Sequence, residues 1–127
     1  IHQNIVPHNR RIVLCYGGHF SCKMELTGEV YMNEYIGIDI GGTKTAIVRG
    51  DENGTILEKK RFATTTKGET LEMIFQSVAD LKTDQTKAIG VSCGGPLNSR
   101  TGVILGPPNL PGWDEVPITD MLTERHI

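Results

Sequence analysis

The fold of this chain depends on one run of residues, Ile36-Gly37-Ile38-Asp39-Ile40-Gly41-Gly42-Thr43-Lys44-Thr45-Ala46-Ile47-Val48. The β-branched residues on either side of the glycine pair predict two buried strands joined by a tight turn. Glycines there allow positive φ and leave backbone N–H groups uncovered, and a small turn of N–H groups binds anions. Asp39 fits this interpretation if a Mg²⁺ ion is held between its carboxylate and phosphates. We therefore predict a metal–nucleotide phosphate site.

The spacing of the glycines excludes two better-known phosphate loops. The chain has no G-x-x-x-x-G-K-[ST] sequence, so the site is not a P-loop. It also has no G-x-G-x-x-G between a strand and a helix, so the Rossmann fingerprint is missing. An ordinary Gly-Gly hairpin with an incidental Asp39 remains an open alternative, because Gly-Gly is a common hairpin turn.

Size, charge and cysteine content indicate one modest soluble domain. The chain has 127 residues, of which 38% are hydrophobic and 22% charged, and its net charge is −2. Neither nucleic acid nor a membrane is expected as a partner, because no basic surface is indicated and no apolar run approaches the ~20 residues of a membrane helix. Three cysteines without regular spacing argue against a disulfide framework and favour the cytoplasm.

Three stretches together resemble one family. Residues 39–44 are similar to the first phosphate motif of the ROK family, named for repressors, open reading frames and sugar kinases. Residues 89–97, Ile-Gly-Val-Ser-Cys-Gly-Gly-Pro-Leu, resemble its strand and turn, and residues 101–113, which include Pro-Pro-Asn-Leu-Pro-Gly-Trp, resemble its sugar-facing loop. The three follow the family's order and spacing and cover nearly everything from Tyr35 to Ile127.

The remaining pattern predicts the element order β-β-β-α-β-α. Asn53-Gly54 marks a turn before a third strand at 55–63, whose polar residues indicate an edge position. Thr66 and Glu69 have the spacing of a capping box at a helix start. An apolar strand at 88–92 then follows, which we expect to be parallel to the first. The inward helix faces are predicted to carry Leu71, Ile74, Phe75 and Val78 in one helix, and Ile118, Met121 and Leu122 in a last helix that Pro117 opens.

The resemblance implies an α/β fold, namely the N-terminal half-domain of the ribonuclease-H-like (actin/hexokinase) superfamily. In that family ATP and sugar bind in a cleft between two such domains. Because the chain begins with Ile1 and ends within a predicted helix, we expect residues 32–127 to be a truncated N-terminal part of a ROK-type kinase domain. The family's catalytic Asp, in an Asn-Asp pair, and its zinc motif are expected beyond Ile127, so this fragment alone should have no kinase activity.

The function implied by the resemblance is ATP-dependent phosphorylation of a hexose or related sugar by the full-length protein, which could form a homodimer. Such chemistry requires Mg²⁺ and N–H groups that position the phosphates. Asp39 is the candidate for Mg²⁺, through water, and the nucleotide side includes Asp39, Gly41, Gly42, Thr43, Lys44 and Thr45. The candidate sugar-binding residues are Gly94, Gly95 and Asn109.

Three residues have open alternatives. Asn109 lies among prolines, and its fixed amide could bind a sugar hydroxyl or cap its own turn. Trp113 could stack on a sugar or anchor the loop, and we expect anchoring. Cys93 has no His or positive charge beside it, so we expect a packing residue rather than a nucleophile.

Two other functions remain open for the whole chain. One is a sugar-sensing ROK regulator, although residues 1–31 carry no basic recognition helix. The other is a truncated product without function, which would expose a sheet edge meant for a missing strand and would aggregate.

Residues 1–31 do not resemble the rest of the chain, and we expect a disordered extension or translated upstream DNA. Met32 is a natural start for the family, and Thr27-Gly28-Glu29-Val30 can be encoded by a purine-rich sequence of the kind that precedes a start codon. Cys15, His19 and Cys22 fit no zinc spacing that we can name.

Overall fold

The computed structural model describes residues 11–16 and 32–126, which form a five-stranded mixed sheet, a two-stranded hairpin and two helices. The order of strands in the large sheet is β1-β5-β2-β3-β4. The elements are β1 Arg11–Tyr16, β2 Glu34–Ile40, β3 Lys44–Asp51, β4 Ile56–Ala63, α1 Lys67–Leu81, β5 Thr86–Cys93, β6 Leu97–Asn98, β7 Val103–Ile104 and α2 Ile118–His126.

The first three predicted strands form the expected meander. β2 pairs antiparallel with β3, and β3 with β4. On β2 the residues Ile36, Ile38 and Ile40 are buried and alternate with more exposed neighbours, as one face of a sheet requires. β4 is an edge strand of mostly exposed residues, so its predicted edge position is confirmed. A bulge in the β3–β4 pairing at Arg49 and Gly50 shifts the register by one residue.

Helix α1 connects the meander to β5, which lies parallel to β2 as predicted. All four residues of its predicted apolar face are buried. Only half of the predicted capping box is formed. The Thr66 hydroxyl accepts a hydrogen bond from Glu69 N at 3.3 Å, whereas the Glu69 carboxylate accepts one from the Thr65 hydroxyl at 2.9 Å instead of returning to the Thr66 amide. The helix start is therefore tied to the segment that leaves β4.

Strand β1 lies within the segment that the sequence analysis separates from the rest of the chain. Its six residues, 11–16, pair in parallel with residues 88–93 of β5. Leu14 lies in the hydrophobic core, 3% exposed. One edge of β5 is thus covered by β1. The side chains of Cys15, His19 and Cys22 lie outside the described part of the structure, as does the rest of the region proposed to be translated upstream DNA.

The two helices contact each other as well as the sheet, α1 against β2, β3 and β4 and α2 against β1. Arg125 of α2 lies over the ring of Phe75 of α1, with 4.3 Å between the guanidinium carbon and the ring centroid. In α2, Ile118 and Leu122 are buried and Met121 is partly buried against the core, as predicted. Within the described residues, no helix is long and apolar enough to cross a membrane.

The carboxyl ends of β2 and β5 lie side by side, since Ile40 pairs with Cys93. The Gly-Gly turn, residues 41–43, follows β2 at this edge of the sheet. The segment after β5 begins at the same edge and continues through the β6–β7 hairpin to the proline loop, residues 107–113. The topology therefore brings the two predicted binding segments together.

Candidate functional site

The Gly-Gly turn presents two backbone N–H groups. Gly41 N donates a hydrogen bond to Lys44 O at 3.0 Å, which closes the turn. A Cβ atom at Gly41 would lie 2.8 Å from that same oxygen, so only glycine fits without a shift of the backbone. Across residues 11–16 and 32–126, no acceptor is found for the amides of Gly42 and Thr43. Two unpaired N–H groups on neighbouring residues can bind an anion.

The back of this turn is held by hydroxyl groups. The Thr64 hydroxyl donates to Gly41 O at 2.7 Å and lies 2.8 Å from the hydroxyl of Thr45. The sequence predicts that Thr45 contacts phosphate, but its side chain is fully buried and faces Thr64 instead. The Thr45 side chain therefore lies behind the turn and not on its exposed side. Sequence reasoning misses Thr64, since the signal around it, three successive threonines, does not show which of them reaches the turn.

Asp39 lies at the carboxyl end of β2 with an exposed side chain. Its carboxylate accepts no hydrogen bond and forms no ion pair with any described residue, and Lys44, which is exposed, is not its partner. No group of three or more metal-ligating side chains occurs in the described ranges. A single free carboxylate fits Mg²⁺, which is commonly held by one or two carboxylates together with phosphate oxygens and water.

Cys93 ends β5 beside Asp39. Its side chain is 2% exposed, and its thiol donates a hydrogen bond to Gly94 O at 3.1 Å. Burial, and secondly the negative charge of Asp39, raise the pKa of this thiol to about 11. The thiol is therefore protonated at neutral pH, which supports the prediction of a packing residue and not a nucleophile.

The proline loop is fixed by a buried aromatic side chain and by its own backbone. Trp113 is 1% exposed, so the predicted anchoring role is confirmed and stacking on a sugar is excluded. Leu110 N donates to Pro107 O at 3.0 Å and Gly106 N donates to Trp113 O at 2.7 Å. Leu110 is buried as well, so the loop is attached to the core through two of its side chains.

Asn109 is the residue at which the turn and the loop meet. A Cβ atom at Gly42 would lie 2.8 Å from Asn109 O and 2.9 Å from Asn109 Cβ, so the loop backbone packs directly on the turn. A Cβ atom at Gly94 would lie 3.8 Å from the Asn109 side-chain oxygen. The amide of Asn109 is exposed and has no hydrogen-bond partner in the described part of the chain, so it does not cap its own turn.

The structure thus brings together Asp39, the Gly-Gly turn, Gly94 and Asn109. Gly95 continues the same turn and precedes Pro96 through a cis peptide bond. Lys44 extends from the start of β3 as an exposed side chain, close in sequence to the turn but unpaired within the described residues. Of the predicted residues, only Thr45 is hidden behind the site.

Comparison with known proteins identifies the family of this chain. The ROK family profile matches residues 35–126. A fructokinase from Lactococcus lactis subsp. cremoris is 35% identical over 99 residues, which cover 73% of this chain and 33% of that protein. The chain spans 30% to 33% of the length of the first curated relatives it matches.

Two solved structures have a fold similar to that of this chain. A ROK family glucokinase from Streptomyces griseus, in complex with glucose and AMPPNP, matches with a TM-score of 0.65 and 31% identity over 76% of this chain and 30% of that protein. A ROK family transcriptional regulator, a homologue of the E. coli MLC protein, matches with a TM-score of 0.59 over 73% of this chain and 25% of that one, but at 16% identity it shows the fold alone. The expected actin/hexokinase-like α/β fold is therefore confirmed, and the chain belongs to the ROK family.

Proposed function

We propose that the full-length protein transfers the γ-phosphoryl group of ATP to a hydroxyl of a hexose or related sugar. This chain supplies the nucleotide phosphate turn and one side of the sugar site. One observation carries the proposal. Asn109 packs on Gly42 while its amide remains unpaired within the described residues, so a sugar hydroxyl at Asn109 and a phosphate at the Gly-Gly turn would meet at one edge of the sheet.

Phosphoryl transfer depends mainly on positioning and on charge stabilisation. The amides of Gly42 and Thr43 donate hydrogen bonds to phosphate oxygens, and the exposed Lys44 adds positive charge near them. The amide of Asn109, with Gly94 and Gly95 beside it, binds sugar hydroxyls as both donor and acceptor. Gly41 shapes the turn, and Thr45 supports it from behind.

Asp39 would hold Mg²⁺ through water, and that ion would neutralise charge on the phosphates. The absence of a competing lysine or arginine partner within the described residues leaves the carboxylate available for this role. The general base that accepts the sugar hydroxyl proton is proposed to lie beyond Ile127, so residues 1–127 alone should not phosphorylate sugar. We further place the protein in the cytoplasm, with a homodimer as the expected assembly.

The test is ADP release by the complete protein with ATP, Mg²⁺ and a panel of hexoses that includes glucose and fructose. Asp39→Asn should lower kcat/KM about 10- to 100-fold, the effect of losing one interaction with a charged group. Asp84→Asn is the matched control, because Asp84 is an exposed carboxylate in the connection before β5, away from the site. A complete protein that phosphorylates none of the sugars would contradict the proposal.

A sugar-sensing regulator is the second candidate, since the Asn109 arrangement could bind sugar without any transfer reaction. Isothermal titration calorimetry separates the two functions. A sensor would bind a hexose without consuming ATP, and Asp39→Asn would leave its sugar affinity unchanged.

A further inference from the structure

Thr64 contacts the Gly-Gly turn from a distant part of the sequence. It follows β4 and lies one residue beyond the pair of Lys44 with Ala63. Its amide donates a hydrogen bond to Thr43 O at 2.9 Å, and its hydroxyl donates one to Gly41 O at 2.7 Å. A single residue therefore binds two carbonyl groups of the turn from the β4 side.

The direction of the hydroxyl hydrogen bonds follows from the number of protons. Each hydroxyl has one proton to donate, and that of Thr64 is directed to Gly41 O. The contact of 2.8 Å between the hydroxyls of Thr45 and Thr64 must therefore use the proton of Thr45. Thr45 is fully buried, so this chain of two hydrogen bonds is defined by the protein itself.

The hydrogen bond to Gly41 O sets the orientation of one peptide group. In a planar trans peptide the C=O and the N–H point in opposite directions. Because Gly41 C=O points toward Thr64, the N–H of Gly42 points away from it, and this N–H has no acceptor among the described residues. A peptide between two glycines would otherwise rotate with little steric restriction.

We propose that Thr64 is a positioning residue of the phosphate site, whose hydroxyl orients the Gly41–Gly42 peptide so that the Gly42 N–H meets a phosphate oxygen of ATP. The inference rests on the proposed function and adds to it a residue that acts through the turn. Thr64→Val keeps the shape of the side chain and the backbone hydrogen bond to Thr43 O but removes the hydroxyl. The Gly41 carbonyl then loses its donor, and the buried Thr45 hydroxyl loses its acceptor.

The experiment compares Thr64→Val, Thr64→Ser and Thr65→Val in the complete protein. Thr64→Val should raise the Kd for Mg·ATP about three- to tenfold, the effect of one hydrogen bond, while the KM for sugar changes less than twofold. Thr64→Ser should restore the wild-type Kd. Thr65→Val should have no effect on it, because the Thr65 hydroxyl donates to the Glu69 carboxylate and not to the turn.

¹H–¹⁵N NMR in the absence of nucleotide supplies a readout that does not depend on activity. The Gly42 amide signal should move in Thr64→Val, because the Gly41 carbonyl of the same peptide loses its donor, whereas amides in the middle of β2 and β5 keep their wild-type positions. An unchanged Gly42 signal, or an unchanged Kd for Mg·ATP, would overturn the proposal. A parallel loss of sugar and ATP binding would also overturn it, since that result indicates a general structural defect.

Failure of the proposed function would look different. If the wild-type protein binds Mg·ATP with a Thr64-dependent Kd but phosphorylates no sugar, the kinase assignment fails and the role of Thr64 stands. If the wild-type protein does not bind Mg·ATP, both proposals are overturned.

Discussion

The Gly-Gly turn and the proline loop reach the same edge of the sheet but are held there by opposite kinds of interaction. The turn is fixed by hydrogen bonds to its carbonyl groups, from Thr64 and within the turn itself. The proline loop is fixed by the buried side chains of Leu110 and Trp113 and by the limited φ of its prolines. The Gly-Gly turn cannot be covered by apolar packing, because its N–H groups must stay open to a ligand. The proline loop can be, because it presents only the side chain of Asn109.

This difference predicts which substitutions each segment will not tolerate. Loss of apolar volume should affect the proline loop, and loss of a hydroxyl or gain of a Cβ atom should affect the Gly-Gly turn. The contact of Gly42 with Asn109 is the place where damage to one segment reaches the other.

The largest effect is expected for Trp113→Ala. Removal of a side chain that is 1% exposed leaves a cavity under the proline loop, and the free energy of unfolding should fall by about 3–5 kcal/mol in urea titrations. Leu105→Ala is the matched control, because Leu105 is 41% exposed just before the loop, and it should change stability by less than about 0.5 kcal/mol. Equal effects of the two variants would show that the loop is not held by Trp113.

A smaller effect is expected for Gly42→Ala. The new Cβ atom would lie 2.8 Å from the backbone oxygen of Asn109, and this overpacking should destabilise the chain by about 1–3 kcal/mol. Gly94→Ala is the control on the other side of Asn109, where the nearest atom would be 3.8 Å away, an ordinary contact. If thermal unfolding shows both variants to be equally stable, the turn and the loop are not in direct contact.

The smallest effect concerns the Cys93 thiol, whose pKa reports on the charge of Asp39. Because burial is the larger cause of the raised pKa, Asp39→Asn should lower the pKa of this thiol only slightly. The measurement is the pH dependence of the rate of thiol alkylation, and Asp84→Asn should leave it unchanged. An unaltered titration in Asp39→Asn would place the carboxylate away from Cys93.

The raised pKa of the Cys93 thiol also makes the stability of the folded chain depend on pH. The pKa of this thiol is raised from the ordinary thiol value of 9.0 to about 11 in the folded chain, so the folded state retains the proton longer than the unfolded state does. The contribution to stability is complete below pH 9.0 and is lost as the pH rises to about 11. Urea titrations at pH 8 and above should therefore show a steeper loss for the wild type than for Cys93→Ala.

Much of the fold could be predicted because local patterns and tertiary packing agree. The β-branched runs around the glycine pair, the Asn53-Gly54 turn and the apolar stripe of α1 each indicate the element that forms. Strand β1 could not be predicted in this way, since a short apolar run carries no information about which strand edge it will join. Its position depends on pairing with β5, which is remote in sequence.

In the candidate site, too, some residues could be predicted from local sequence patterns and others depend on tertiary pairing. Asp39, Gly42 and Asn109 could be found from the turn chemistry and the resemblance. Each residue type indicates a role at its position: an acid at the end of a buried strand, a glycine in a tight turn and an amide among prolines. Thr64 could not be found in this way, because its position opposite Thr43 depends on the bulge at Arg49 and Gly50, and without that shift of one residue Ala63 would lie there. A shift of one residue also reverses the face on which each side chain lies, and no local pattern fixes it. The burial of Thr45 could have been predicted, because alternation along β3 puts it on the same face as the buried Ile47.

The central claim, that the Gly-Gly turn binds nucleotide phosphate, is tested most directly by ¹H–¹⁵N NMR of this chain during titration with Mg·ATP. The amides of Gly42 and Thr43 should shift most, while that of Gly54, in the β3–β4 turn at the opposite end of β3, should stay in place. Asp39→Asn should weaken the response at both amides. Largest shifts elsewhere in the chain, or none at Gly42 and Thr43 at millimolar Mg·ATP, would contradict the account.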